Sequence, residues 1–407
     1  MFFKRNCYVL KGGILAACLV CCCLMACKNK DSQPEKEEPP VDIPEGKVQV
    51  GVYYFPNWGP VFRSEWPLIR DAKPRFTGHK QPKKPLWGFE NEEDPAVMAK
   101  KIDVASQHGV DAFIFCWYYF DPPTLEHPGG KYLSEALENG FMQAPNAGDV
   151  SFALMWANHD VGEMKGAIQP ETFEEMTDYI VERYFKHPAY WKVDGCPYFS
   201  IYEFDTFLKI FNGNVASARH ALERFREKVK AAGFPDLHLN LVLWGLKGEL
   251  LTKAFEITTV NSTTSYVWIH HNALQGFPTA QYDAEAHKYF NSVAYGGASN
   301  GLENPANTLP VPYYPNVTMG WDSSPRTRNA DGWNERRDYP FGAVMVNNKP
   351  YAFKKALAKA KGLALQHEEQ HRILTVNAWN EWGEGSYLEP DEEYGFKYLE
   401  ALAEVFR

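Results

Sequence analysis

A single (β/α)8 barrel of the α/β class is what this sequence predicts, and two observations predict it. Short apolar, β-rich runs recur eight times from residue 48 onward, most of them separated by segments of helical period, with no second low-complexity linker between them. A doubly wound open sheet is the alternative. Its nucleotide-binding signatures, G-x-G-x-x-G and G-x-x-x-x-G-K-[ST], do not follow the first run.

The elements follow in chain order. Lys4, Arg5 and Lys11 precede an apolar run, 14–26, which is too short to span a bilayer as a helix. The run ends in Leu24-Met25-Ala26-Cys27. Small apolar residues directly before a Cys resemble the lipobox of bacterial lipoproteins. Residues 1–26 therefore read as a lipoprotein signal peptide and Cys27 as the lipidated residue, which places the protein at an outer membrane, on its periplasmic face or at the cell surface. An ordinary Cys-rich signal peptide is the alternative. Residues 27–47 are charged and proline-rich with almost no apolar content, as a flexible tether is. Residues 48–407 are the expected barrel domain with loop insertions. Its strands are predicted at 48–55, 110–117, 151–156, 198–202, 237–244, 263–267, 311–319 and 372–378. Helices are predicted at 94–108, 171–185, 215–232, 280–290, 351–371 and 394–406, the first opening on an Asp94-Pro95 N-cap and N1 pair.

Composition narrows the function. The 42 basic and 51 acidic residues leave a net charge of −9, which disfavours nucleic acid as a partner. Loss of the leader removes three basic residues and no acidic one, so the balance becomes more negative. Cys7, Cys18, Cys21, Cys22, Cys23 and Cys27 all lie in the leader. Only Cys116 and Cys196 remain, without Cys/His spacing for zinc, so neither a metal nor a cofactor is expected. No G-x-S-x-G supports a serine hydrolase.

In a barrel of this kind chemistry sits where the strands end. Those ends carry Tyr53, Tyr54 and Trp58; Trp117 and Tyr118; Trp156, Asn158 and His159; Tyr202 and Glu203; Trp244; Tyr266; Trp321 and Asp322, with Arg326 beyond; and Trp379, Asn380, Glu381, Trp382 and Glu384. A sugar ring offers an apolar face to aromatics and a rim of hydroxyls to polar side chains. The aromatic excess, 15% of the chain, thereby gains a use as a glycan-binding surface. For any one of these residues, packing is the competing role. Glu381 and Glu384 stand three apart, so in a helix or turn their carboxylates face the same way. They are the candidate catalytic pair. A separation of about 5 Å goes with retention and ~6.5–9.5 Å with inversion. A salt-bridged rim pair is the alternative. His270-His271 lacks a third ligand at metal spacing.

The stretch Asn377-Ala378-Trp379-Asn380-Glu381-Trp382-Gly383-Glu384-Gly385-Ser386-Tyr387-Leu388-Glu389-Pro390 resembles the C-terminal signature of the WbsX-type, glycoside hydrolase family 99-like domain. Gly51-Val52-Tyr53-Tyr54-Phe55-Pro56, Gly78-His79-Lys80-Gln81-Pro82, Trp156-Ala157-Asn158, Val193-Asp194-Gly195-Cys196-Pro197 and Gly320-Trp321-Asp322 match the same domain in order. The resemblance implies a barrel, a glycan substrate and a retaining glycosidase without a metal. It also implies that Glu381 acts as base on the substrate's 2-hydroxyl while Glu384 serves as acid and then base. Gly383 stands where family 99 proper has His, and Ser386-Tyr387-Leu388-Glu389-Pro390 departs from its Thr-Gln-Ile-Glu-Pro-like run, which places the chain nearer the WbsX-type branch. The expected protein is an endo-acting, monomeric glycosidase of a polysaccharide or host glycan, tethered to the membrane by its N-terminal lipid. A non-catalytic glycan-binding lipoprotein and a glycosyltransferase of cell-surface polysaccharide synthesis are the rival readings.

Overall fold

The computed structural model describes residues 38–60, 64–122, 129–243, 246, 248–256, 260–291, 309–327, 333 and 336–407. The leader, Cys27 and Trp244 lie outside the described residues. Val41–Arg407 forms one compact unit. It begins earlier than residue 48 because Ile43 is partly buried against the core.

Eight parallel strand positions make the barrel. They are β1 (Gln49–Tyr54), β2 (Ala112–Phe120), β3 (Ser151–Trp156), β4 (Cys196–Ile201), β5 (His238–Val242), β6 (Ser262–Thr264), a seventh in two pieces, β7a (Tyr313–Tyr314) and β7b (Asn316–Thr318), and β8 (Ile373–Asn377). The pairing order is β7a-β6-β5-β4-β3-β2-β1-β8-β7b, so the sheet starts and ends on the two halves of one strand. Pro315 separates them. It has no N–H for the ladder, and the backbone changes partner there, while its carbonyl still accepts from Thr375 N at 2.8 Å.

The helices are α1 (Trp66–Arg70), α2 (Pro95–Gln107), α3 (Pro170–Ile180), α4 (Phe204–Ile210), α5 (Val215–Ala231), α6 (Gly248–Glu256), α7 (Tyr282–Tyr289), α8 (Pro350–Ala364) and α9 (Lys397–Phe406). Helices α2, α3 and α8 each start with Pro in the first turn, where its missing N–H leaves no gap. Asp94 caps α2 by accepting from Ala96 N, and Asn214 caps α5 by accepting from Ser217 N. The predicted helix over 171–185 changes to a π turn at Val181–Phe185. The one over 351–371 stops at Ala364, and the last begins at Lys397 instead of 394. Between β2 and β3 the described residues form a short strand (Gly130–Tyr132) antiparallel to β2, a π turn (Ala136–Gly140) and a 3-10 turn (Phe141–Gln143), with no α-helix among them. Helices α1 (Trp66–Arg70), α4 (Phe204–Ile210) and α6 (Gly248–Glu256) lie outside the predicted helical segments.

The barrel is not lined evenly. Strands β1 to β3 are almost continuously apolar, as strands buried on both faces are. Later strands bury polar side chains that bond to one another. Ser200 Oγ meets Asn240 Oδ1 at 2.9 Å, Asn240 Nδ2 meets Ser262 Oγ at 2.8 Å, and Thr264 Oγ1 reaches across to Thr375 Oγ1 at 3.0 Å. Each hydroxyl or amide so paired avoids the cost of an unsatisfied buried polar group.

Candidate active site

After β8 the chain forms a small antiparallel hairpin. Asn380–Glu381 pairs with Ser386–Tyr387, and a 3-10 turn, Trp382–Glu384, joins them. Gly385 closes the turn at φ +65°, and a Cβ there would stand 2.7 Å from Asp322 Cβ. The turn aims Glu381 and Glu384 at one guanidinium. Arg326 Nη2 lies 2.9 Å from Glu381 Oε1, and Nη1 lies 2.6 Å from Glu384 Oε1. Glu65 Oε2 holds the same guanidinium at 3.1 Å. Gly383 is what gives this arrangement room: a Cβ would stand 2.8 Å from both Arg326 Nε and Glu65 Oε2.

Hydroxyls complete the carboxylate contacts. Tyr266 OH donates to Glu381 Oε2 at 3.0 Å, and Tyr339 OH donates to Glu384 Oε1 at 3.0 Å. Burial, above all, and then repulsion from Glu384 hold the Glu381 carboxyl well above the usual carboxylate range. Burial raises Glu384 as well, opposed by Arg326 and the Tyr339 hydrogen bond. Burial keeps the hydroxyls of Tyr266 and Tyr339 protonated, and likewise the thiol of Cys116, whose Sγ lies 3.8 Å from Tyr266 OH. Both carboxyls are thus buried, raised and joined through one guanidinium, and neighbours that displace two carboxyls differently let one act as acid and the other as base.

The pair opens on a cavity of about 1050 Å³. Of the residues singled out in the sequence, Tyr118, His159, Tyr202, Glu203, Tyr266, Trp321, Arg326, Glu381 and Glu384 line it. The other strand-end residues that are described lie elsewhere. Successive strand residues face opposite sides, so next to inward Tyr53 the side chain of Tyr54 points outward, where its OH meets Met98 Sδ at 3.5 Å. Trp117 and Trp156 are register partners on that outer side. Trp117 Nε1 donates to Tyr184 OH at 3.1 Å, and Trp156 packs on Phe173. Tyr53 is fully buried in the barrel, with its OH on Ser265 O at 3.3 Å. Asn158 ties β3 to β4: its amide donates to Glu203 O and accepts from Glu203 N, each at 2.8 Å. Asp322 is buried beneath the turn, bonded to His79 Nε2 at 2.9 Å and Gln81 Nε2 at 2.8 Å. Trp58, Trp379, Asn380 and Trp382 are fully buried behind the pair, with no face left for the cavity.

Several lining residues carried no sequence signal. Glu65 precedes the short helix α1, and Tyr339 sits in an irregular loop with half its surface exposed. Phe55 lies under the Arg326 guanidinium, 5.4 Å from ring centre to Cζ, which favours the cation.

Comparison with known proteins agrees with this fold. The family model described as "Glycosyltransferase WbsX" matches residues 56–402. The uncharacterized protein WxcX of Xanthomonas campestris pv. campestris (strain B100) is 25% identical over 364 residues, which are 86% of this chain and 46% of that protein. The chain thus spans about half the length of the curated relatives it matches. Among solved structures, a "Glycoside hydrolase-like protein" superposes with a TM-score of 0.59 at 15% identity, covering 91% of this chain and 97% of the other. The GH99 endo-alpha-mannosidase of Bacteroides thetaiotaomicron does so with a TM-score of 0.53 at 16% identity, covering 88% and 96%.

Proposed function

Because the chain belongs to the glycosyltransferase WbsX family, on a barrel of the glycoside hydrolase kind, we propose that it is a retaining glycosidase that uses Glu381 and Glu384. The observation that carries this reading is the meeting of two buried carboxylates at one guanidinium, on the floor of a large cavity at the C-terminal ends of the strands. Adjacent nitrogens of one guanidinium hold both carboxylates, and retention is proposed from the resemblance of the Asn380-Glu381-Trp382-Gly383-Glu384-Gly385 stretch to the family 99 signature.

In the proposed reaction Glu384 protonates the glycosidic oxygen as the bond to C1 breaks. Glu381 takes the proton of the substrate's 2-hydroxyl, whose oxygen closes on C1. Water then opens that ring at C1, giving a proton to Glu384, and O2 recovers its proton from Glu381. Tyr118, Tyr202 and Trp321 supply aromatic faces along the cavity for sugar rings. A cavity at the top of the usual size range for ligand sites suits more than one ring, hence endo action on a polysaccharide or host glycan. The family's description favours a second reading, in which a sugar hydroxyl replaces water as the acceptor.

Reducing-sugar release from a glycan panel tests the proposal. Activity is expected in the wild type and lost in Glu381→Gln and Glu384→Gln with binding retained. Full activity in both variants would falsify the pair. Elongated products in place of reducing ends would identify transfer, and binding without turnover in the wild type would identify a glycan-binding protein. Anchoring through Cys27 at an outer membrane is proposed on the leader alone. Radiolabelled fatty acid should enter the wild type and not Cys27→Ala.

A further inference from the structure

Behind the catalytic hairpin lies a second cluster of charges that the proposed chemistry does not use. Lys101 Nζ, from α2, stands 2.5 Å from Glu92 Oε1 and 2.5 Å from Glu389 Oε1, and none of the three side chains is more than 3% exposed. Burying such ions costs several kcal/mol each in desolvation, and apolar residues of equal volume fill a core as well or better. What charged residues add is fixed direction.

The acceptors here point at the two residues that flank Glu381. Glu389 Oε1 accepts from Trp379 Nε1 at 3.0 Å, and its Oε2 accepts from Trp382 Nε1 at 2.7 Å. The Trp382 ring is stacked on Tyr387 at 3.7 Å between centroids. Glu92 accepts from Asn380 Nδ2 at 3.1 Å. Asn380 is held twice more, its Oδ1 accepting from Phe55 N and its carbonyl from Trp58 Nε1, each at 2.8 Å. Asn380 and Trp382 are therefore both tied to the same three ions.

We infer that Glu92, Lys101 and Glu389 form a positioning cluster that holds Glu381 at its reactive place by fixing both of its chain neighbours. The inference rests on the proposed catalytic role of Glu381. It assigns no substrate contact to the cluster, which acts only through the hairpin. Misplacing a reacting group by about 1 Å costs on the order of 100-fold in rate.

The test uses the full-length chain, steady-state kinetics on a cleaved glycan, and hydrogen exchange across residues 379–388. In Glu389→Gln one acceptor oxygen becomes a donor facing Trp382 or Lys101. The expected result is a kcat lowered about 10- to 100-fold with KM within about threefold, and exchange faster in the hairpin but not in β1 to β4. Trp382→Phe keeps the ring on Tyr387 and removes a single tie, so it folds even where Glu389→Gln does not. Its kcat should fall about three- to tenfold with the same exchange signature. Wild-type kcat and hairpin exchange in folded variants, beside an inactive Glu381→Gln, overturn the positioning cluster alone. Full activity in Glu381→Gln overturns the proposed function alone, and hairpin exchange then decides for or against the cluster by itself.

Discussion

Two clusters of like composition, carboxylates gathered on one cation, lie on opposite sides of the hairpin after β8. In the sealed one, Lys101 holds Glu92 and Glu389, and the remaining acceptor positions are taken by N–H groups of Trp379, Trp382 and Asn380. In the open one, Arg326 holds Glu381 and Glu384 with Glu65 behind, and the donors are hydroxyls of Tyr266 and Tyr339. Burial does not distinguish them, since Glu381 is as buried as Glu389. Nor does a perturbed pKa: burial pushes Glu92 up to about 7, and burial raises Glu381 too. The difference is where the carboxylates face and what holds them. Rigid indoles and an amide close the sealed cluster, whereas the open one faces a cavity and is held by groups that a substrate hydroxyl can replace. Perturbed carboxylates thus mark a site only when they also face open space.

That comparison breaks first on activity. Glu381→Gln or Glu384→Gln should lower kcat/KM by at least about 1,000-fold. Both carboxyls are raised in the folded state, so folding disfavours their ionisation, and their neutral isosteres should raise Tm. Glu389→Gln should lower it. A calorimetric scan in which all three variants shift the same way would erase the distinction. Next in size, Lys101→Met leaves two buried carboxylates without their cation and should cost about 3–5 kcal/mol in urea unfolding. A cost under about 1 kcal/mol would mean the sealed cluster is not held by charge.

The pH dependence sharpens the contrast further. Lys101, Glu389, Asn380 and Tyr54 surround the Glu92 carboxyl. Its folded pKa lies above the ordinary value of 4.5, so the folded chain binds its proton more tightly than the unfolded chain does. Stability from this group is full below pH 4.5 and is lost as pH rises to about 7. That loss is on the order of 2–3 kcal/mol, and Glu92→Gln should flatten that part of the stability curve. An unchanged slope in the variant would assign the pH dependence to another group.

Gly383→Ala has a smaller expected effect. The added Cβ meets the Arg326–Glu65 pair, and flexible side-chain ends can yield, so the guanidinium should leave its place between the carboxylates. We expect kcat/KM to fall about tenfold with stability within about 1 kcal/mol. Wild-type kinetics would show that the close approach at Gly383 is dispensable. The smallest effect belongs to Tyr339→Phe, expected to change kcat/KM by less than about threefold. Its hydrogen bond lowers the Glu384 pKa, so its removal should move the alkaline limb of the pH–rate profile upward. A downward shift would count against Glu384 as the acid.

Much of the fold was legible in the chain. The eight strand positions coincide with the eight predicted β-rich runs: β1 to β3 are near-continuously apolar because they are buried on both faces, and the later, more polar strands keep β-branched residues such as Thr263, Thr264 and Val317. The break at Pro315 was not, because a run from 311 to 319 reads as continuous until each half is seen to pair with a different neighbour. At the candidate site, strand ends pointed to the cavity but overcounted the residues that line it. Tyr54, Trp117 and Trp156 are as near the strand ends as Tyr118 and Tyr202, yet they face outward.

By itself the sequence determined the alternation of elements, the clustering of aromatics where strands end, and the spacing that lets Glu381 and Glu384 share a face of one turn. These are local properties, set within a strand or a turn by periods of two and about three and a half. Only the tertiary structure decided which member of each aromatic pair looks into the cavity, since one residue of register exchanges the two faces. It also decided the distant partners of the carboxylates. Arg326 meets Glu65 across 261 positions, and Asn380 meets Glu92 across 288. Nothing local encodes such meetings. They exist because barrel closure brings the loops after β1, β7 and β8 to one rim, where burial leaves each charge few partners other than those.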